Sequence, residues 1–345
     1  MARLNDLVRN QGDSPVRGMG QPKKGKPQRV SFRNIEANVT RAAAVEPDAQ
    51  SILEADQLQA KAAMELSLIV GAVRHAQKFS LDGITQVVHG FVDSLSQSDQ
   101  LLVKAISVER SGLVISNLVN TAILSIKIGM GLKYTHDDLL RLGLAAILHD
   151  LGMGLIPDDI LNKQGPLSQD ERNLIKRHPE QGVQAIRRLG EDAAWVADIV
   201  SQEHERAGGQ GYPRGLKGSE IHEYAQIIGL ADTLEALLHT RPYRKRFLPY
   251  DAVRELVVKE KALFSTRILK CLIQQFSVFP LGTRVQLNTG EIGEVVEVHP
   301  QYPLRPVIRV YMDPSRVVLR EPRLEDLSKT MLVHITEVAQ DDQQE

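Results

Sequence analysis

Several features that identify particular classes of protein are scarce in this chain of 345 residues. Its single cysteine, Cys271, excludes a disulfide framework within the chain and fits a reducing compartment. Aromatic residues make up 4% of the sequence, and the formal net charge is −1, so the whole chain has no general attraction for nucleic acid. No apolar run approaches the ~20 residues that span a bilayer, and no signal peptide is evident. We therefore expect a cytoplasmic protein without a transmembrane segment.

The N-terminal 35 residues differ in composition from the rest of the chain. They are rich in glycine, proline, lysine and arginine, with eight basic and two acidic residues, a net charge of +6. Such a segment buries too little apolar surface to fold alone, so we predict a disordered basic arm over 1–35. The arm is either a solvated tail or a weak tether to nucleic acid or anionic lipid.

Helical periodicity dominates the sequence that follows the arm. An apolar face predicts a helical lead-in region over 36–106, and its members are Leu66, Ile69, Val70 and Val73. Residues 107–279 continue as an all-α region, in which Thr135 and Ser168 have the capping signals that begin helices. A length of 345 residues allows two or three such domains.

The composition changes near Pro280. β-branched runs at 283–287 and 292–298 flank the hairpin signal Asn288–Glu291. Further strands are predicted at 307–311, 317–319 and 331–335. We therefore predict a small β-rich domain over 280–338, followed by a disordered tail over 339–345.

The most informative stretch is 142–157, LGLAAILHDLGMGLIP, where an apolar helix runs into His149 and Asp150. Imidazole nitrogen and carboxylate oxygen are ligands that Mn, Fe and Zn accept. A lone His-Asp pair is more often a helix-end capping pair, so this stretch alone leaves both interpretations open.

Three further residues strengthen the metal hypothesis: His178, His204 and Asp232. Each is predicted near a helix end or on a helix face, and short loops can bring such positions together in the core of a bundle. With His149 and Asp150 they would suit one or two transition-metal ions. The ordinary alternatives are a helix-face role for His178 and a capping or salt-bridge role for Asp232.

The order of motifs in this region resembles that of the HD-GYP domain, a subgroup of the HD phosphohydrolase superfamily. The chain has HDLGM, IPDDIL, a His-Pro pair at 178–179, EHERAGGQGYP, Ala-Asp at 231–232 and RPYR at 241–244. The match covers roughly 107–250, and GYP at 211–213 is its signature. The β-rich region also resembles a segment found after many such domains.

The resemblance implies a mainly α fold, an HD-type helical bundle followed by the small β-rich domain. It also implies two or three Fe or Mn ions that bridge a hydroxide, which attacks a phosphodiester of cyclic di-GMP. Carried over, the metal ligands are His149, Asp150, His178, His204 and Asp232, with Asp150 also catalytic. Glu203 stands where the family has a histidine, and we predict it as a further ligand because a carboxylate can bind Fe or Mn. Substrate contacts are carried over to Arg241, Arg244, Tyr212 and Gly211.

Four positions depart from the family pattern. Met153 stands where the family has lysine, Glu203 and Asn117 where it has histidine, and Gly208 where it has aspartate. Methionine cannot make a charge-assisted bond to phosphate, a contact of about 1.5–3 kcal/mol. A cyclic di-GMP phosphodiesterase, weakened or intact, is one hypothesis. The others are a non-catalytic domain that binds nucleotide or a partner protein through the GYP loop, and a hydrolase of another phosphate ester.

Overall fold

The computed structural model describes residues 49–107, 113–163, 165–239, 247, 249–277, 279–299 and 301–338. The predicted arm over 1–35 and the tail over 339–345 lie outside these residues. Arg241 and Arg244, to which the resemblance gives substrate contacts, also lie outside them.

Among the described residues, the regular elements up to residue 276 are all helical. They are α1 (Ala49–Arg74), α2 (Asp82–Gln97), α3 (Gln100–Ser107), α4 (Leu113–Gly131), α5 (His136–Ile147), α6 (Asp158–Leu161), α7 (Gln169–Ile175), α8 (His178–Arg187), α9 (Ala194–Val200), α10 (Glu223–Leu238), α11 (Pro249–Glu255) and α12 (Thr266–Phe276). A 3-10 turn, Leu151–Leu155, joins α5 to α6. The mainly helical bundle that the sequence predicted is confirmed.

Helix α4 lies at the centre of the bundle and packs against α1, α3, α5, α10 and α12. By length and composition its segment Val114–Gly131 could span a membrane, with a mean hydropathy of 1.3. The expectation that no apolar run approaches this length is therefore wrong. Because 67% of the segment is buried within the protein, packing inside the bundle accounts for its composition.

The lead-in helices share the core of the helices that follow. Leu66, Ile69 and Val73 of α1 are buried, whereas Val70 is half-buried and packs at the edge of the same core. At its C-terminal end, Arg74 donates a hydrogen bond to the carbonyl of Gly154 and forms an ion pair with Asp158 at 2.8 Å. Helix α1 is thus joined to the turn that follows His149 and Asp150.

Both predicted helix starts are present. The Thr135 hydroxyl accepts a hydrogen bond from the backbone N–H of Asp138 and caps α5. Ser168 and Glu171 form a reciprocal capping box at the start of α7. These caps satisfy backbone donors that have no partner inside the helix, and they fix where each helix begins.

The C-terminal region is a five-stranded antiparallel sheet in the order β4-β3-β2-β1-β5. Its strands are β1 (Arg284–Leu287), β2 (Ile292–Glu297), β3 (Val307–Met312), β4 (Val318–Asp326) and β5 (Ile335–Val338). Strand β4 extends well beyond the predicted 317–319 because it pairs with β3 along most of its length. The predicted strand at 331–335 is displaced, since pairing with β1 begins only at Ile335, and Met331 and Leu332 are exposed in the preceding turn.

Candidate metal centre

His149 and Asp150 stand where α5 ends. Helix α5 stops at Ile147, and the backbone N–H of His149 reaches back to the carbonyl of Ala146 at 3.4 Å. The Nδ1 atom of His149 lies 2.7 Å from the same carbonyl, where it can only donate. That hydrogen bond leaves Nε2 as the ring atom that is free to accept a ligand.

A backbone contact brings α8 against the turn after Asp150. A Cβ atom at Gly152 would lie 1.9 Å from the carbonyl oxygen of His178 and 2.7 Å from the backbone nitrogen of Gly182. Only glycine fits at position 152 without moving α8. The contact places Asp150 Oδ1 2.8 Å from His178 Nε2.

His178, the first residue of α8, is oriented in the same way as His149. Its Nδ1 lies 2.7 Å from the carbonyl of Ile175, and its Nε2 lies 2.8 Å from the Nε2 of His204. In both His149 and His178, Nδ1 is hydrogen-bonded to a backbone carbonyl. The Nε2 atom of each ring therefore points into the cluster of ligand atoms. This is the arrangement that fixes the tautomer of a metal-binding histidine.

Glu203 and His204 lie in the turn that follows α9. The Oε1 atom of Glu203 is 2.9 Å from His204 Nε2, and its Oε2 atom is 3.9 Å from His149 Nε2. Beneath the turn, the buried guanidinium of Arg206 donates hydrogen bonds to the carbonyls of Glu203 and Glu205 at 2.7 and 2.8 Å. Arg206 thus holds the backbone that presents both side chains.

Asp232 comes from the middle of α10, and its Oδ1 lies 3.8 Å from His149 Nε2. The amide of Asn117 on α4 donates one hydrogen bond to Asp232 and another to Glu235, each at 2.9 Å. The Asp232 side chain is 17% exposed, whereas those of His149 and His178 are fully buried. The centre is therefore most open on the side of Asp232.

The arrangement fits one or two divalent metal ions. The ligand atoms form two groups within 4.8 Å, one of Asp150, His178, Glu203 and His204 and the other of His149, Asp150 and Asp232. Within the described residues, three buried atoms among them have no hydrogen-bond partner: His149 Nε2, Asp150 Oδ1 and Glu203 Oε2. Asp150 Oδ1 also lies 2.8 Å from His178 Nε2, in ion-pair contact with it. Buried polar atoms without partners are costly, and a metal ion would satisfy all three.

The electrostatics of the cluster couple its histidines to its carboxylates. Burial opposes protonation of His149 and His178, but the nearby carboxylates outweigh it and raise the pKa of each to about 10. Burial likewise opposes ionisation of Asp150 and Asp232. Nevertheless, His178 holds the pKa of the Asp150 carboxyl below its usual range, and His149 does the same for Asp232. Without metal the cluster thus holds protons, which a metal ion must displace.

The glycine-rich loop at 208–216 closes over the cluster. The Tyr212 ring stacks on His204 with ring centres 4.7 Å apart, and its buried hydroxyl has no hydrogen-bond partner in the part of the chain that the structure describes. Burial raises the pKa of Tyr212, so the phenol stays protonated. The Glu205 carboxylate accepts hydrogen bonds from the backbone N–H groups of Arg214 and Leu216 and so fixes the loop.

Gly211, predicted as a substrate contact, packs against the backbone of its own loop. A Cβ atom there would lie 2.4 Å from the Cα of Glu205 and 2.5 Å from the carbonyl oxygen of His204. A side chain at 211 would therefore displace the loop. Gly211 thus sets the position of Tyr212.

Comparisons with known proteins agree with this geometry. The family model of HD domains matches residues 97–266, and that of the KOW domain associated with the HD domain matches residues 284–344. Residues 97–266 therefore belong to the HD domain family. The second match assigns the C-terminal sheet of this HD protein to the KOW type.

Two curated relatives named as cyclic di-GMP phosphodiesterases are similar to part of the chain. It is 32% identical over 194 residues to a cyclic di-GMP phosphodiesterase of Pseudomonas aeruginosa, covering 56% of this chain and 47% of the relative. It is 35% identical over 144 residues to the cyclic di-GMP phosphodiesterase response regulator RpfG of Xanthomonas campestris, covering 41% of this chain and 38% of the relative. The chain therefore spans about half the length, or less, of these two relatives.

A solved structure has the same fold. The HDG"Y"P protein Bd1817 from Bdellovibrio bacteriovorus superposes with a TM-score of 0.54 at 19% identity, covering 70% of this chain and 78% of that one. The motif-based assignment to a divergent HD-GYP protein is confirmed by the relatives and this fold together.

Within the HD domain, the departures from the motif pattern have separate structural settings. Met153 is buried in a small apolar cluster, and its partners are Ile156, Leu167 and Ile175. Asn117 lies against Asp232, and Gly208 is exposed in the loop. Met153 thus packs into the fold and offers no cation to a ligand.

Three residues beside the centre were missed by the motif comparison: Glu205, Arg206 and Glu235. Glu235 had a detectable signal, because it lies three residues after Asp232 and so shares its face of α10. Glu205 and Arg206 lie within EHERAGGQGYP, but their contacts are with backbone atoms, which residue type alone does not reveal.

Proposed function

We propose that this chain is a metal-dependent phosphodiesterase of the HD-GYP type that hydrolyses a cyclic dinucleotide, in the first instance cyclic di-GMP. The observation that carries the proposal is the convergence of three histidines and three carboxylates, with three buried atoms that lack partners. The curated names of its relatives supply the substrate class. Relatives named as 3'3'-cGAMP-specific phosphodiesterases make that dinucleotide the second substrate to test.

The proposed cofactor is a pair of Fe or Mn ions, with Asp150 shared between the two groups of ligands. Such a pair, when bound, supplies a nucleophile at neutral pH and stabilises the negative charge that develops on the phosphate. The hydrogen bonds of His149 and His178 to backbone carbonyls hold their Nε2 atoms ready. Asn117 orients Asp232, so each side of the centre is pre-organised.

Substrate would approach from the side of Asp232, the most exposed of the ligand side chains for which exposure is described. We assign to Tyr212 a hydrogen bond to an anionic oxygen of the substrate, because its buried hydroxyl is protonated and unpaired. Gly211 contributes by positioning Tyr212. Arg241 and Arg244 follow α10 in the sequence and stay proposed phosphate contacts from the resemblance alone.

The packing of Met153 favours a second candidate, a non-catalytic domain. Its burial in an apolar cluster leaves the phosphate without the lysine of the family pattern. Glu203 adds a negative charge beside the site, which opposes an anionic substrate. In this case the chain would bind a nucleotide or a signalling partner through the GYP loop. The basic arm would contribute weak contacts to nucleic acid or anionic lipid, and we place the protein in the cytoplasm.

The test is an anaerobic assay of the full chain reconstituted with Mn or Fe, with cyclic di-GMP and 3'3'-cGAMP as substrates. The enzyme hypothesis expects linear dinucleotide or mononucleotide products that appear with the metal and disappear with a chelator. His149→Ala serves as the inactive control. Tight binding of cyclic di-GMP without any turnover in the metal-loaded protein would establish the binding module instead.

A further inference from the structure

We propose that Glu203 is a bridging ligand, with one carboxylate oxygen on each of two metal ions. This inference rests on the metal centre of the proposed function and deepens it. The family pattern places a histidine at this position, and a histidine presents one nitrogen to one ion. A carboxylate has two oxygens and can serve two ions that are ~3.5–4 Å apart.

The two oxygens of Glu203 face different histidines. Oε1 lies 2.9 Å from His204 Nε2 and 3.4 Å from His178 Nε2, whereas Oε2 lies 3.9 Å from His149 Nε2. Oε2 is buried and has no hydrogen-bond partner. The carboxylate thus extends from one group of ligands toward the other, with its unpaired oxygen on the His149 side.

Asp150 has the same relation to the two groups. Its Oδ1 lies 2.8 Å from His178 Nε2, and its Oδ2 lies 3.8 Å from His149 Nε2. Two buried carboxylates from different parts of the chain therefore span the same gap. One ion would be held by His178 and His204, the other by His149 and Asp232, with Asp150 and Glu203 between them.

The bridge changes the charge of the centre. Two divalent ions with Asp150, Asp232 and Glu203 leave a net charge of +1, whereas a neutral histidine at 203 would leave +2. A centre with one more negative charge holds its cations more tightly and attracts an anionic ligand less. Replacing Glu203 should therefore move metal affinity and phosphate affinity in opposite directions, which a merely structural role would not do.

The experiment uses the full chain and two probes, Mn²⁺ and inorganic phosphate. Equilibrium dialysis with elemental analysis gives the number of ions, and electron paramagnetic resonance reports whether two Mn²⁺ ions are exchange-coupled. We expect two coupled ions in the wild type. Because Asp150 remains between the ions, Glu203→Gln should weaken the coupling rather than abolish it, and it should weaken the second ion by about 10- to 100-fold, the range seen when a metal site loses support. With Mn²⁺ raised until two ions are bound, Glu203→His should bind phosphate more tightly than the wild type.

Glu205→Gln is the matched control, because Glu205 is equally buried but gives both oxygens to backbone N–H groups. It should keep the coupled pair. A coupled pair with unchanged affinity in Glu203→Gln would overturn the bridge, as would an equal loss in Glu205→Gln, which would assign the effect to the loop. A wild type with two coupled ions but no hydrolysis of cyclic dinucleotide would refute the proposed function and leave the bridge standing.

Discussion

Two clusters of polar side chains meet where Asn117 of α4 contacts Asp232 of α10, and they differ in how their hydrogen-bonding atoms are satisfied. The metal cluster, whose members are His149, Asp150, His178, Glu203, His204 and Asp232, has three buried atoms without a partner. The amide cluster consists of Asn117, Asn120, Glu235 and His239. Each of its side chains has a hydrogen-bond partner within the protein.

The difference distinguishes a polar core from a binding site. A buried polar group destabilises the fold unless it is paired, so a closed network is complete as it stands. An open network in the same bundle needs a further partner. Asn117 belongs to the closed cluster and touches Asp232 of the open one, so it is the point at which the two are coupled.

The largest expected effect comes from removing a member of the open cluster. His178→Ala should lose at least one metal ion and reduce hydrolysis by more than about 100-fold, because even the outer partners of metal ligands are worth 10- to 100-fold. Elemental analysis and the cyclic di-GMP assay measure the two losses. His75→Ala, at an exposed position in the turn just after α1, is the control. Full metal content in His178→Ala would contradict the assigned ligand.

The boundary between the clusters is tested by Asn117→Ala. Loss of the amide leaves Asp232 and Glu235 without their shared donor, so we expect destabilisation of about 1–3 kcal/mol. Metal affinity should fall by about 10-fold, because Asp232 is no longer held. Denaturant unfolding and Mn²⁺ titration measure these effects. Asn120→Ala removes an amide that contacts Glu235 and His239, so it should lower stability and leave metal affinity unchanged.

A smaller effect is expected at Tyr212, which covers the open cluster. Tyr212→Phe should reduce hydrolysis by about tenfold, the lower end for one hydrogen bond to a charged group. Metal content and melting temperature should stay unchanged, since the lost hydroxyl has no partner in the protein. Steady-state kinetics measure the loss of hydrolysis, and thermal unfolding measures the melting temperature. A fall in melting temperature of many degrees would point to a structural role.

The smallest expected effect is a pH dependence of stability, which arises from the protonation of histidines in the metal cluster. In metal-free protein, the raised pKa of about 10 for His149 and His178 means that their protons stabilise the fold. This stabilisation is complete below their ordinary pKa of about 6.5 and is lost as pH rises toward 10. Chelator-treated protein should therefore melt at lower temperature at pH 9 than at pH 7. The metal-loaded protein should not, because metal replaces the protons.

The sequence predicted the elements of the site better than their contacts. Periodicity placed Asp232 on a helix, and the motif order assigned His149, His178 and His204 to one centre. The partner of Asn117 could not be foreseen, because it depends on how α4 and α10 are rotated against each other. The burial of Met153 depends likewise on packing between the turn after α5 and α7.

The sheet shows the same limit. The hairpin at Asn288–Glu291 is confirmed because its turn chemistry is local, with Gly290 at a φ of 86°. The last strand is displaced because its position is decided by pairing with β1, a partner more than 40 residues away in sequence. Non-local pairing outweighs local β propensity there.

The contact between Gly152 and α8 has a consequence for inheritance. Because a single methyl group at 152 would collide with the carbonyl of His178, a Gly152→Ala substitution would separate Asp150 from His178 while leaving all six metal-cluster residues in place. A descendant protein with this change would keep all six metal-cluster residues in its sequence and still be unable to assemble the centre. Loss of the metal centre can therefore begin at a residue whose side chain carries no functional group.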